Sequence, residues 1–223
     1  MDRPAGCVLW SNRIFLLLFA ALATAQASGP KITFTFDFPG SLPDHYVITL
    51  ASDGHGTYAG RGKLAADSDD SSFQSEFTIP AATTSRVFAL AAKAKYFESD
   101  LDSKKKGLAS TGSKTLAYED GQRSHQSTYN FSTMAPVQEL TQFFQNLATT
   151  MEFGRRLDYY HHYQKLALAD ELQRMEEMAK GNNLGDLETV GPILQQIVDD
   201  PTVINAVRAR AQRLLAQAGT EGK

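Results

Sequence analysis

The chain is poor in cysteine, tryptophan and long apolar runs. Cys7 is its one cysteine and Trp10 its one tryptophan, and both lie close to the start. Past them there is no disulfide to form, no thiol nucleophile and no cysteine to hold a metal. Such a chain depends on its own hydrophobic core. An excess of either charge is also missing: Lys and Arg total 22 against 25 Asp and Glu, and the signs are mixed along the chain. This excludes the basic field that a nucleic-acid partner requires. The densest basic cluster, Lys104-Lys105-Lys106, follows Glu98, Asp100 and Asp102, which neutralise much of it and leave a solvated loop.

The longest apolar run, Ile14 to Ala23 (IFLLLFAALA), follows Arg3 and Arg13 and precedes Ala25-Gln26-Ala27. Positive charge, a short apolar stretch and a small-x-small site, in that order, describe a secretory signal peptide. As a helix the run rises roughly 15 Å, about half of a bilayer core. Cleavage after Ala27 makes residues 1–27 the leader and leaves no stable membrane span. The exported chain, periplasmic or extracellular, loses Arg3, Arg13 and Asp2 and carries a net charge of about −4. Cys7 precedes the apolar run, where a lipoprotein cysteine would follow it. In a eukaryotic source Asn130-Phe131-Ser132 would be a glycosylation acceptor.

Downstream, the pattern changes near residue 152. Before it, Lys31 to Phe38 (KITFTFDF) alternates strictly, with Ile32, Phe34, Phe36 and Phe38 on one face, as in a half-buried strand. Tyr46 to Leu50 and Gly56 to Gly60 flank Asp53-Gly54, a hairpin turn that uses the positive φ open to glycine. Ser72 to Ile79 alternates again. Thr84 or Ser85 caps a helix over Arg86 to Phe97, with Val87, Leu90, Ala91, Ala94 and Phe97 on its apolar stripe. Lys114 to Tyr118 and Gln122 to Phe131 form a hairpin about Asp120-Gly121. A helix over Pro136 to Met151 completes a β-β-β-β-α-β-β-α order. The fold class is α+β: an antiparallel sheet with two helices on one face over residues 28–152, then an all-helical segment over 153–223. That segment reads as one long helix, Phe153 to Lys180, stopped at Gly181-Asn182-Asn183. A helical hairpin follows over Leu187 to Val198 and Pro201 to Ala218, with Asp199-Asp200 capping the second helix.

Residues 107–115, GLASTGSKT, approach the phosphate-binding pattern G-x-x-x-x-G-K-[ST], but Ser113 stands where the lysine belongs and Lys114 is one place late. Phosphate is cradled where a strand enters the loop and a helix leaves it. Here a helix enters and a strand leaves, so the stretch reads as a surface loop and no nucleotide is expected. Asp158 and His162 share a helix face, yet zinc sites take three or four ligands. The surrounding Tyr159, Tyr160, His161, His162 and Tyr163 read instead as a partner-contact surface. His45, His55, His125, His161 and His162 lie in no nucleophile frame, and G-x-S-x-G is absent. Asp67, Asp69 and Asp70 lack the spacing of a calcium loop. No cofactor or metal is expected.

The stretch from Gly40 to Gly60, GSLPDHYVITLASDGHGTYAG, resembles a bacterial exported domain of unknown function, through Pro43, Tyr46, Asp53-Gly54, Tyr58 and Gly60. Tyr96-Phe97 is similar to that family's helix end. Two cysteines of the family pattern are absent here, and one extra residue separates Pro43 from Tyr46. The resemblance covers residues 31–150 and implies the sheet-and-helix fold, with no activity attached. The sequence therefore reads as an exported, non-catalytic binding or interaction module, with an envelope or extracellular protein as partner. Two alternatives stay open: a secreted hydrolase with a scattered site, and a subunit of a cell-envelope assembly docking through the helical tail.

Overall fold

The computed structural model describes residues 29–64 and 71–221. The expected leader, with Cys7, and the Asp67, Asp69 and Asp70 loop lie outside the described residues.

Six strands form one antiparallel sheet: β1 Lys31–Asp37, β2 His45–Ala51, β3 His55–Gly62, β4 Ser71–Thr78, β5 Ser113–Glu119 and β6 Ser124–Tyr129, in the order β4-β3-β2-β1-β5-β6. The period-two pattern of β1 becomes burial. Ile32, Phe34 and Phe36 are buried, while Thr33 and Thr35 face the other way. Phe38 does not join that row: the strand ends at Asp37, and Phe38 remains 36 % exposed, edge-on to Phe36 at 6.4 Å. At the first hairpin Gly54 takes φ +89°, and a Cβ there would lie 2.8 Å from the Ile79 carbonyl oxygen. Glycine is required at this turn on both counts. At the second hairpin the Asp120 carboxylate accepts from the backbone N–H groups of Gln122 and Arg123.

Helix α1, Ala81–Lys93, begins five residues earlier than the sequence suggests, directly after Pro80. Thr84 is therefore inside the helix, its hydroxyl turned back on the Pro80 carbonyl, and neither it nor Ser85 caps. The helix also stops before Phe97. Lys95, Tyr96 and Phe97 take positive φ of 52°, 53° and 65°. Left-handed backbone costs about 1–2 kcal/mol per non-glycine residue. Packing opposes that cost: Phe97 is fully buried, and Tyr96 lies 4.6 Å from Tyr118 beneath the Arg123 guanidinium at 4.1 Å.

Helix α2 runs unbroken over Ala135–Tyr163, through the point where the sequence pattern suggests a new element. The break comes later. Gln164 leaves helical geometry, a single turn covers Lys165–Ala167, and α3 Leu168–Lys180 follows. Reversing direction there lets Leu168, Leu172, Met175 and Ala179 share a core with Phe153 and Leu157, which one continuous helix could not do. At the end of α3 Asn182, with φ +54°, takes the left-handed position. Helices α4 Gly191–Asp199 and α5 Asn205–Glu221 complete the chain. Pro201 lies in the turn between them and not at a helix start; Asp200 accepts from the backbone N–H and hydroxyl of Thr202 and so holds that turn.

Two cores result. The first joins the sheet, α1 and the start of α2 as far as Met151; the second runs from Phe153 through α3, α4 and α5. Helix α2 passes from one to the other. Among the described residues α1 and α2 pack on the face that carries the sheet core. On the other face two rows cross the inner strands: Thr57, Thr49, Thr33, Ala117, and beside them Ala59, Val47, Thr35, Thr115. Among the described residues no helix is long and apolar enough to cross a membrane.

Candidate functional site

The near-P-loop resolves through Lys114. Its side chain points to the helix side of β5 and is 4 % exposed. The Nζ donates to the Thr111 carbonyl and hydroxyl at 3.0 Å each, and to the Gly112 and Asn130 carbonyls at 2.9 Å each. Three N–H groups facing four oxygens leave no donor for a phosphate. Burial pulls this ammonium below the usual lysine range. Lys114 ties the loop to the sheet.

The five residues Tyr159 to Tyr163 share one helix end but face different surroundings. Tyr160 packs against the second core. His161 is held by Asp200, with Nε2 to Oδ2 at 2.9 Å. The His162 Nδ1 donates to the Asp158 carbonyl at 2.8 Å, which ties the ring to its own helix. Tyr159 lies against Tyr163 at 5.2 Å with the rings tilted by 44°, and Tyr163 is 75 % exposed. No cluster of three or more His, Cys, Asp or Glu suited to a metal occurs among the described residues. His161 has the carboxylate of a catalytic dyad, but among the described residues its buried Nδ1 has no hydrogen-bond partner and no hydroxyl is poised on it.

The more developed site lies where the two cores meet. A cleft of about 640 Å³ opens between the 41–46 turn, the end of β3, and helices α2 and α3. Phe36, Pro43, Tyr46, Phe153 and Met178 give it apolar walls, and Leu42, 79 % exposed, stands at its lip. Lys63, Glu152, Arg156 and Arg174 are its charged lining.

The floor is a chain of ion pairs. Glu152, buried on α2, accepts from the Tyr58 hydroxyl at 2.8 Å through Oε1, while Oε2 faces Arg155 at 3.5 Å and Arg156 at 3.9 Å. Burial, then the Glu152 carboxylate, raises the Tyr58 phenol far above its ordinary range, so it stays a donor. Arg155 turns to the sheet, donating to the Gly62 carbonyl and the Ser71 hydroxyl at 2.8 Å each. Arg156 donates to Glu171 Oε1 at 2.5 Å, and Arg174 reaches Glu171 Oε2 at 3.2 Å. Glu171 is 3 % exposed and saturated from both sides, whereas Arg174 is 64 % exposed on its side chain. Of the five donors on its guanidinium, one carboxylate contact leaves most turned outward.

None of Glu152, Arg156, Glu171 and Arg174 stands out in the sequence as a site. A signal existed in carboxylates placed on apolar stripes: Glu152 sits between Met151 and Phe153, and Glu171 between Leu168 and Leu172. A carboxylate on a core stripe implies a buried cation partner. No protein-family model and no curated protein matches the chain.

Proposed function

We propose that the chain is an exported, non-catalytic binding module whose ligand is a small amphipathic anion held in the cleft between the sheet and helices α2 and α3. The observation that carries this reading is Arg174. It is mostly exposed, anchored on one side by a buried carboxylate, and joined at the cleft by Arg156 and Lys63 above apolar walls. An anchored guanidinium suits a carboxylate, sulfonate or phosphate head, and the Phe36, Pro43 and Met178 walls suit an apolar tail. Glu152 and Glu171 each have both oxygens facing a donor, which suits a role in holding the arginines of the cleft in place. Export is supported by the order of Arg13, the 14–23 apolar run and Ala25-Gln26-Ala27. The test is a fluorescence titration with anilinonaphthalene sulfonate, an amphipathic anion. Saturable binding that weakens at least tenfold in Arg174→Glu and is unchanged in Tyr163→Ser is expected; indifference to Arg174→Glu contradicts the reading.

A second reading, docking of the helical tail onto an envelope protein, has its own observation. Tyr163, Leu166 and Ile204 are 75 %, 91 % and 61 % exposed, near a clamp in which Lys165 reaches Asp200 and Thr202 at 2.6 Å each. Apolar residues exposed on a fixed turn favour a protein contact. Pull-down from the native envelope fraction with Leu166→Asp tests it: capture unchanged by that charge removes this corner from consideration.

A further inference from the structure

We infer that the cleft is built for a doubly charged head, so that its ligand is a phosphate monoester carrying an apolar tail. The inference rests on the reading of the cleft as an anion site and selects among the heads that reading allows. It follows from the charges the fold collects there. Among the described residues four cations, Lys63, Arg155, Arg156 and Arg174, meet two carboxylates, Glu152 and Glu171, at the cleft and its floor. The exposed acids of α3, Asp170 and Glu177, do not line it.

The two carboxylates are taken by the cations beneath. Glu152 lies closest to Arg155, at 3.5 Å, and that guanidinium is turned into the sheet with its side chain 6 % exposed. Glu171 lies closest to Arg156, at 2.5 Å. Each of these pairs is neutral. Arg174 and Lys63 are left over, the first with most of its donors outward and the second exposed just past the end of β3.

Two like charges beside the Phe36, Pro43 and Met178 walls repel one another more than in open water, because apolar walls lower the local dielectric. A carboxylate or a sulfonate balances one of them and leaves the other unpaired. A phosphate monoester above its second pKa, about 6, balances both. Its terminal oxygens also suit two cations of different shape. A guanidinium takes two oxygens in parallel, and an ammonium on its flexible stem takes the third as a point charge.

The test is displacement of bound anilinonaphthalene sulfonate at pH 8 by dodecyl phosphate and by its diester, dodecyl methyl phosphate, each below its micelle concentration. The two share a tail and a tetrahedral head and differ by one charge at this pH. Dodecyl phosphate is expected to displace the probe at least ten times more effectively. In Lys63→Met that preference is expected to fall at least threefold, with the circular dichroism spectrum unchanged and displacement by the diester altered less. Equal displacement by monoester and diester overturns the inference and leaves the anion reading standing; displacement by neither overturns both. A full preference retained in Lys63→Met overturns the charge count on which the inference stands. Flotation with phosphatidylcholine vesicles containing phosphatidate separates the sources of such a head. Capture that is lost in Arg174→Glu places it on a bilayer lipid, and displacement by dodecyl phosphate without capture places it on a soluble ester.

Discussion

The two cores that α2 joins are built from different materials. The sheet core is aromatic: Phe34 stacks on Phe144 at 5.2 Å, and Phe36, Tyr46 and Tyr58 continue the row across three strands. Its polar insertions are buried with it. Burial pushes the Tyr129 phenol up to about 12 while its hydroxyl pairs with Thr141. The helical core is aliphatic, from Leu157 to Leu214, with Phe153 as its fully buried aromatic. Its ionic contacts run from the buried Glu171 with Arg156 to the more exposed pairs of Glu176 with Arg213 and Asp200 with Lys165. Aromatic rings span the pleat and lock strands far apart in sequence, whereas aliphatic side chains fill the grooves between helices. The cleft forms where the two kinds of packing meet and neither fills the space.

The largest expected effect comes from deleting one ring of the sheet core. Phe34→Ala removes a fully buried side chain and should cost about 3–5 kcal/mol in urea unfolding. Leu172→Ala in the helical core should cost about 2–4 kcal/mol. Because α2 belongs to both cores, each variant should lower one shared transition. A biphasic melt in Leu172→Ala would break the comparison and make the helical segment a separate unit.

Lys114→Met probes the polar side of the sheet core. It keeps the apolar stem but leaves the Thr111, Gly112 and Asn130 carbonyls without their donor. About 2 kcal/mol should be lost, with accelerated proteolysis of the 104–112 loop. A variant as stable as wild type would show that these oxygens are satisfied by water.

The smallest effect belongs to the helical clamp and depends on pH. Hydrogen bonds from Lys165, then from Thr202, hold the Asp200 carboxyl below its usual range. A depressed folded-state pKa stabilises above the unfolded value, about 3.9, and the contribution is lost as pH falls from there toward the folded value. Asp200→Asn should therefore lower the urea midpoint at neutral pH and flatten its decline below about pH 4. An acid limb identical to wild type would mean that the clamp adds nothing.

Alternation made the strands legible, because a half-buried strand records its two faces residue by residue. The order β-β-β-β-α-β-β-α follows from that pattern and agrees with the structure. Helix limits were legible only where chemistry marks them. The end at Gly181-Asn182-Asn183 is such a place. The break at Gln164 carries neither glycine nor proline, and tertiary packing of Leu168 and Leu172 imposes it. The left-handed turn at Lys95 to Phe97 is likewise invisible locally, since its support comes from Arg123 and Tyr118 on the hairpin of β5 and β6. The tyrosine-histidine cluster was conspicuous as letters, yet its members face a core, a carboxylate and open surface. The cleft was hidden because Phe36, Pro43, Arg156 and Arg174 meet only after α2 and α3 fold back beside the sheet.

Displacement of bound anilinonaphthalene sulfonate by dodecanoate and by dodecanol tests the proposed ligand chemistry most directly. The two competitors share a tail and differ in the anionic head that Arg174 is proposed to hold. Dodecanoate should displace the probe at least ten times more effectively, and that preference should vanish in Arg174→Glu. Equal displacement by the alcohol, or no displacement by either, would contradict the assignment of the cleft to an amphipathic anion.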